Sequence, residues 1–266
     1  MNTGTDSVTV TDTATSQQAI DFNTTLPLHI ATLTCVRTGK SMPFAREEMS
    51  AIDKKPIKAP VSVNFMGLTT DEQADRRHHG GPLKAVHQLP TATYDKINAE
   101  FDLNVRIGTL GENLTTEATN GLPEMDESTV CVGDVFQYGG SLNDGSIDDD
   151  TDCVQLRIVQ PRRPCYKIND QIGQFKLSKV PNIAAWASKQ GISGWYFAVV
   201  RDGLIDAGLP VYLIERPYPF ATLEKLWQLS NSKEKFEADV IEPWLAIECL
   251  EDSWKAVLKK KIRKDL

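Results

Sequence analysis

Along residues 1–27 the apolar positions are scattered and follow no period, with eight threonines among the first 25 residues. Such a segment buries too little surface to offset the entropy of ordering it, so a disordered tail is expected, with order from Leu28. From there to Glu215 the pattern is mostly that of strands. HIATLTCVR (29–37) is rich in β-branched residues, and TVCVGDVFQYG (129–139) and DCVQLRIVQ (152–160) follow, the last alternating at Val154, Leu156 and Ile158. GWYFAVVRDGLI (194–205) reads as a strand running into a turn at Asp202-Gly203. GGSLNDGSIDDDT (139–151) is glycine-rich, acidic and without apolar period, and reads as a long exposed hairpin loop.

Two helical stretches interrupt the strands. TATYDKINAEF (91–101) begins on threonine caps and sets Tyr94, Ile97 and Phe101 on one face; PNIAAWASKQG (181–191) has proline at its start and glycine at its end. After RPYP (216–219) the period changes to helical. TLEKLWQL groups Leu223, Leu226 and Trp227, Pro243 is placed to open a short helix PWLAIECL, and EDSWKAVLKKKIRK carries Trp254, Val257, Leu258 and Ile262 on a third stripe. The fold expected is β-rich α+β, a barrel or sandwich over 28–215 with a small three-helix module over 217–266.

Composition narrows the function classes. The chain is 41% hydrophobic and 24% charged with a formal charge of -7, so no global positive field attracts nucleic acid or anionic lipid. The basic tail KKKIRK (259–264) falls on the polar side of a helix and reads as a solvated face. No run approaches the ~20 apolar residues of a membrane span, and the first twenty residues lack the pattern of a secretory signal. Five cysteines (35, 131, 153, 165, 249), an odd number without a C-x-x-C pair, argue against disulfide, zinc or iron–sulfur frameworks and fit a reducing cytoplasm. Neither a dinucleotide fingerprint nor a P-loop nor a nucleophile elbow is present.

Candidate chemistry concentrates in three places. In QPRRPCYKIN (160–169), Arg162, Arg163 and Lys167 bracket Cys165; positive neighbours favour a thiolate, and the prolines stiffen the backbone that presents it. The bland alternative is a packed cysteine at a strand end beside solvated bases. GLTTDEQADRRHHGGPLKAVHQL (67–89) gathers His78, His79, His87, Arg76, Arg77 and Lys84 around Gly80 and Gly81, whose amides are open to close approach by an oxyanion. If that segment were helical, Asp71, Asp75 and His79 would share a face as metal ligands, a reading the following Gly-Gly-Pro disfavours; a polar loop with a glycine turn is the plain alternative. In GEN (111–113) Asn113 has an amide to offer a ligand, and in VGD (132–134) Asp134 reads as a turn residue rather than a catalytic acid.

Taken together, D-E-Q-A-D (71–75), H-G-G-P (79–82), K-A-V (84–86), G-E-N-L (111–114), V-G-D-V-F (132–136) and Q-P-R-R-P-C-Y-K-I-N (160–169) stand in an order that resembles the MOSC-domain family, YiiM type; G-W-Y (194–196) and the helical tail also resemble that type. The resemblance implies a pyruvate-kinase-type β-barrel holding a molybdenum–pterin cofactor, with Cys165 as the ligand to molybdenum. It further implies that His79, Gly80, Gly81, Lys84, Asn113, Arg162 and Lys167 belong to the cofactor pocket, with His79 favoured over His78 as the imidazole that faces it and donates a proton. Pyridoxal phosphate, also associated with the family, has no support in these residues. The reaction implied is the two-electron reduction of N-hydroxylated compounds such as 6-N-hydroxylaminopurine, R–NH–OH to R–NH₂. With no reductase motif of its own, the chain is expected to draw electrons from a separate flavoprotein or ferredoxin-like partner. Two rivals use the same residues differently: a non-catalytic carrier of the cofactor or its sulfur, and an interaction protein whose helical tail pairs with a partner or in a homodimer.

Overall fold

The computed structural model describes residues 26–75, 80–119, 121–148, 152–173 and 181–263. The expected disordered tail lies, but for its last two residues, outside the described residues, as do His78 and His79.

Seven strands close into a barrel: β1 (Leu28–Thr38), β2 (Val86–Gln88), β3 (Leu114–Ala118), β4 (Val135–Tyr138), β5 (Val154–Pro161), β6 (Trp195–Arg201) and β7 (Pro210–Glu215). Their order around the barrel is β7-β4-β5-β6-β2-β3-β1, and β1 returns to β7 through Leu28↔Leu213 and Thr32↔Pro210. Closure pairs the strand edges that an open sheet would expose. The neighbours are antiparallel except β2 and β3, which run parallel at Gln88↔Leu114. Alternation along β5 sends Val154, Leu156 and Ile158 into the interior, all fully buried. Val159 and Gln160 break the alternation and are buried as well; the register shifts between Ile158 and Gln160, and the chain after the barrel covers this end, where Glu251 N–H donates to Val159 O.

Around the barrel lie α1 (Thr91–Phe101), α2 (Lys167–Gly173), α3 (Ile183–Gln190), α4 (Leu223–Asn231), α5 (Ala238–Leu245) and α6 (Asp252–Lys259). α1 has the expected span and buries Tyr94 and Ile97, but Pro90 precedes it and no side chain caps it, so the expected threonine cap is absent. α3 starts later than its proline, with Asn182 accepting from Ala185 N–H, and ends on Gly191 at φ 76°. In the tail, Pro243 lies inside α5 rather than opening a helix; the helix starts five residues earlier, at Ala238.

One further expectation is corrected, and one on the loop 139–151 is met among its described residues. Asp202-Gly203 makes no hairpin turn: the chain goes on as Gly203–Ile205, which pairs with Val61–Val63 in a small separate sheet. The loop 139–151 does contain a hairpin, Leu142–Asn143 against Ser146–Ile147, turned by Asp144 and Gly145, both at positive φ.

The apolar interior forms two clusters. The larger fills the barrel (Leu33, Phe136, Leu156, Phe197, Leu213) and runs without a break into α4–α6 through Leu226, Ile241, Trp254 and Leu258. The smaller, with Ile52, Leu89, Ile97, Ile168 and Ile183, joins α1, α2 and α3. The cavity of interest lies where these clusters meet: its wall takes Ala85 from the first and Ile52 from the second.

Candidate functional site

A cavity of about 90 Å³, open to solvent on one side, is lined by Cys165, Arg162, Lys167, Lys84 and Asn113, five of the residues singled out in the sequence. Chain entry from β5 explains the first two. Pro161 is the last paired residue, opposite Trp195; Arg162 N–H then donates to Gly194 O at 2.8 Å, and Ser193 Oγ donates to Arg162 O at 2.5 Å. Two residues after Cys165 the chain turns into α2, whose first turn is closed by Ile168 N–H donating to Cys165 O at 3.1 Å. The sulfur is therefore set between a strand end and a helix start, half-buried in the cavity wall.

Arg162 is the most unusual group there. Its side chain is buried, 4% exposed, yet Nε and Nη1 have no hydrogen-bond partner among the described residues. A buried cation with empty donors is costly unless something anionic meets it. Lys54, which the sequence did not mark, also lines the cavity; burial draws its ammonium below the ordinary lysine value, and the paired Asp71 carboxylate opposes this. His87 completes this wall. Its Nε2 faces Ser193 O at 3.1 Å and Nδ1 faces Gly111 O at 3.4 Å, and burial, followed by the Arg162 charge, holds it well below the ordinary histidine value. The ring is thus neutral and carries one N–H, which donates to one of the two carbonyls, Ser193 O being the nearer.

The other expected residues behave differently from one another. Asn113 lines the cavity, but its amide is committed: Nδ2 donates to Arg37 O at 3.1 Å and to Asp71 Oδ2 at 2.9 Å, and Oδ1 accepts His87 N–H at 3.0 Å. It frames the wall rather than reaching a ligand. Lys167 donates to Met49 O at 2.8 Å and pairs with Glu48 at 3.4 Å, so a neighbouring carboxylate already offsets its charge. Gly80 and Gly81 are not in the lining; Gly81 N–H is given to Gln73 Oε1 at 3.3 Å, and it is Gln73 that meets the cavity. Gly81, at φ 88°, leads into the short turn Pro82–Lys84, which delivers Lys84 to the wall. Residues 71–75 are not helical, and Asp71 is taken up by Gly39 N–H, Lys54 and Asn113. The helical face expected to carry Asp71 and Asp75 is therefore not formed, and His79 lies outside the described residues. Asp134 is buried against Arg216 as a structural ion pair and accepts Cys131 N–H, in agreement with its reading as a non-catalytic residue.

Several lining residues escaped the sequence reading. Lys54 sits in IDKKPIK, a stretch with no local feature to mark it, and Ser50–Ile52 come from the same region. Tyr196 was visible in G-W-Y, and strand pairing opposite His87 and Gln160 places it at the cavity.

The donor set can be tested against a metal. Among the described residues no group of three His, Cys, Asp or Glu side chains could hold a metal ion. One thiol beside a buried guanidinium, hydrogen-bonded to Tyr196 but with Nε and Nη1 unpartnered, fits instead a metal that brings its own organic and oxo ligands, with the protein adding one sulfur and counter-charge. Among the described residues no helix is long and apolar enough to cross a membrane.

Comparison with known proteins agrees with this geometry. The MOSC domain model matches residues 75–212. Over 232 residues the chain is 28% identical to Protein YiiM of Escherichia coli, covering 85% of this chain and 90% of that one. It is 31% identical over 238 residues to a protein named Reductase from Gibberella moniliformis, covering 86% of this chain but 37% of that longer one. The crystal structure of YiiM from Escherichia coli superposes with a TM-score of 0.61 at 25% identity, covering 87% of this chain and 91% of that one. That of YiiM from Geobacillus stearothermophilus gives 0.63 at 22%, covering 88% and 100%. A seven-stranded barrel with C-terminal helices, a matching domain model over more than half the length and relatives along nearly all of it lead to one conclusion: the chain belongs to the MOSC-domain family and is YiiM-like.

Proposed function

We propose that this protein is an oxidoreductase that holds a molybdenum–pterin cofactor in the Cys165 cavity and reduces N-hydroxylated compounds such as 6-N-hydroxylaminopurine. The observation that carries the reading is the Arg162 guanidinium, buried with Nε and Nη1 unpartnered in a cavity that also presents a half-buried cysteine. The family is associated with the molybdenum cofactor, and one relative is named a reductase.

The balance is R–NH–OH + 2e⁻ + 2H⁺ → R–NH₂ + H₂O, and the bound cofactor would supply the two-electron redox change. The residues of the chain provide the setting. Cys165 contributes one soft thiolate ligand. Arg162 supplies charge-assisted donors to anionic groups, with Lys84 and the Lys54–Asp71 pair beside it. His87, neutral and buried with its single N–H donating to a backbone carbonyl, positions rather than transfers protons. The proton donor assigned to His79 by resemblance remains part of the proposal, on the segment next to Gly80. Electrons would come from a separate donor protein, a flavoprotein or ferredoxin-like partner.

The test is metal analysis and turnover on the anaerobically purified protein. Wild type is expected to carry molybdenum and to convert hydroxylaminopurine to aminopurine with a reduced flavin donor, and a folded Cys165→Ala variant to lose both. Retention of both by that variant would refute the reading; stoichiometric cofactor without turnover, even with the donor supplied, would favour the carrier.

A further inference from the structure

We propose that the C-terminal helix α6 belongs to the framework of the site: Trp254 clamps Arg163, and that clamp keeps the Arg162 guanidinium and the Cys165 thiol facing the cavity. The inference rests on the reading of the cavity as a site for an anionic group beside a thiolate.

Pro161 is the last paired residue of β5, and Arg162-Arg163-Pro164 follow it outside the sheet. In extended backbone successive side chains point to opposite sides. Arg162 turns inward and lines the cavity. Arg163 turns the other way and lays its guanidinium over the indole of Trp254, with Cζ 4.1 Å from the ring centroid. Trp254 is 1% exposed, so this contact is made to a ring already fixed in the core, at 5.6 Å and tilted against Trp227. Glu251, which caps the start of α6, adds a carboxylate near the Arg163 charge, and its backbone N–H reaches Val159 O on β5.

Two adjacent arginines with opposite directions behave as a lever. Rotation of the segment that would turn Arg162 out of the cavity would also lift Arg163 from the indole. Prolines on both sides limit other backbone adjustments. On the inner side the segment is held by Gly194 O and Ser193 Oγ at Arg162; the stack on Trp254 ties residue 163 on the outer side. The Glu251 carboxylate favours a positive charge on this side, but a lysine would serve it as well. The guanidinium over a buried ring, with Cζ 4.1 Å from its centroid, is what selects arginine here. Arg163 is accordingly a positioning residue and Trp254 its anchor, which gives the helical tail a share in a site that its own residues do not line.

The clamp is tested on the full-length apoprotein with molybdate as the oxyanion probe and with iodoacetamide alkylation of Cys165 followed by mass spectrometry. Arg163→Ala is at a solvent-facing position and is expected to keep the melting temperature within a few degrees. It is expected to weaken molybdate binding about tenfold and to change the Cys165 alkylation rate severalfold, a readout that a merely stabilising contact would not move. Arg163→Lys, which keeps the charge without the planar stack, is expected to resemble Arg163→Ala, whereas Trp254→Phe, which keeps a ring face, is expected to stay within about twofold of wild type. Wild-type behaviour of Arg163→Ala in both assays, or full rescue by Arg163→Lys, would overturn the clamp. Arg162→Ala separates the two levels: loss of molybdate binding there, with none in Arg163→Ala, removes only the clamp, while unchanged binding in Arg162→Ala removes the cavity reading and the clamp with it.

Discussion

Glu127, 5% exposed, accepts Gly194 N–H at 2.8 Å and so braces, from the other side, the turn whose carbonyl receives Arg162 N–H. Burial raises its carboxyl from 4.5 to about 7. The folded chain therefore binds this proton more tightly than the unfolded chain does. The associated stability is fully present below pH 4.5 and is lost as pH rises through 7, by roughly 3 kcal/mol at most. Denaturant titrations of wild type and Glu127→Gln between pH 5 and 8.5 are expected to show that loss in wild type and a flatter profile in the variant; parallel profiles would refute the assignment. Glu112 is a second buried acid, directly after the glycine turns at 108 and 111. It accepts the Tyr94 hydroxyl at 2.9 and 2.8 Å on its two oxygens and the Gly108 N–H at 2.6 Å, so Glu112→Ala, which strands these donors, is expected to cost about 3 kcal/mol by chemical denaturation. At this scale Cys165, Arg162 and Lys167 were legible because their chemistry is concentrated in ten consecutive residues. Lys54 and Asp71 were not read as a pair, since that pair forms only when residues 17 apart in sequence meet across the cavity.

Strands and helices long enough to carry a period were read correctly in type; punctuation was read less well. The dipeptide Asp-Gly occurs at 144–145 and at 202–203 and looks the same in both places. Gly145, at φ 79°, turns a two-residue hairpin, and a Cβ there would meet nothing within 4 Å. Gly203 has no positive φ but lies against another strand end, where a Cβ would come within 2.5 Å of Asp152 O. Gly145→Ala is expected to cost about 1 kcal/mol, from backbone conformation alone, and Gly203→Ala about 2 kcal/mol or more, from the backbone shift it forces. Equal losses in urea denaturation would refute this distinction. α2 went unread because Lys167–Gly173 is only two turns long, and its buried face, Ile168 and Ile172, is too short a pattern to signal a helix. Pro243 was read as a helix opening, but it is tolerated inside α5 because Ile241 and Trp244 bury on both sides of it.

At the scale of the whole molecule the helical tail and the barrel share one apolar cluster, through Leu226, Trp227, Ile241, Trp254 and Leu258. Ending the chain at Glu215 would expose these contacts on the barrel side, so the fragment 1–215 is expected to lose cooperative thermal unfolding and to bind hydrophobic dyes. A sharp transition with wild-type amplitude would show instead that the tail is dispensable for the barrel.

Four of the seven barrel strands, the amphipathic tail and the basic bracket around Cys165 followed from the sequence by itself, because each is written in near neighbours: a period of two or of 3.6, a cap, a run of charge; the strands Val86–Gln88, Leu114–Ala118 and Pro210–Glu215 were set by pairing in the closed barrel. Which side of the chain each group faces was decided by the tertiary structure. Whether the amides of Gly81 and Asn113 are free or already taken, which of two adjacent arginines looks into the cavity, and how Lys54 comes to stand beside it depend on contacts between segments that are distant in sequence. The physical reason is that hydrogen-bond satisfaction is settled pairwise in space: a donor remains available to a ligand only where closure of the barrel brings no acceptor to it, as at Arg162 Nε and Nη1.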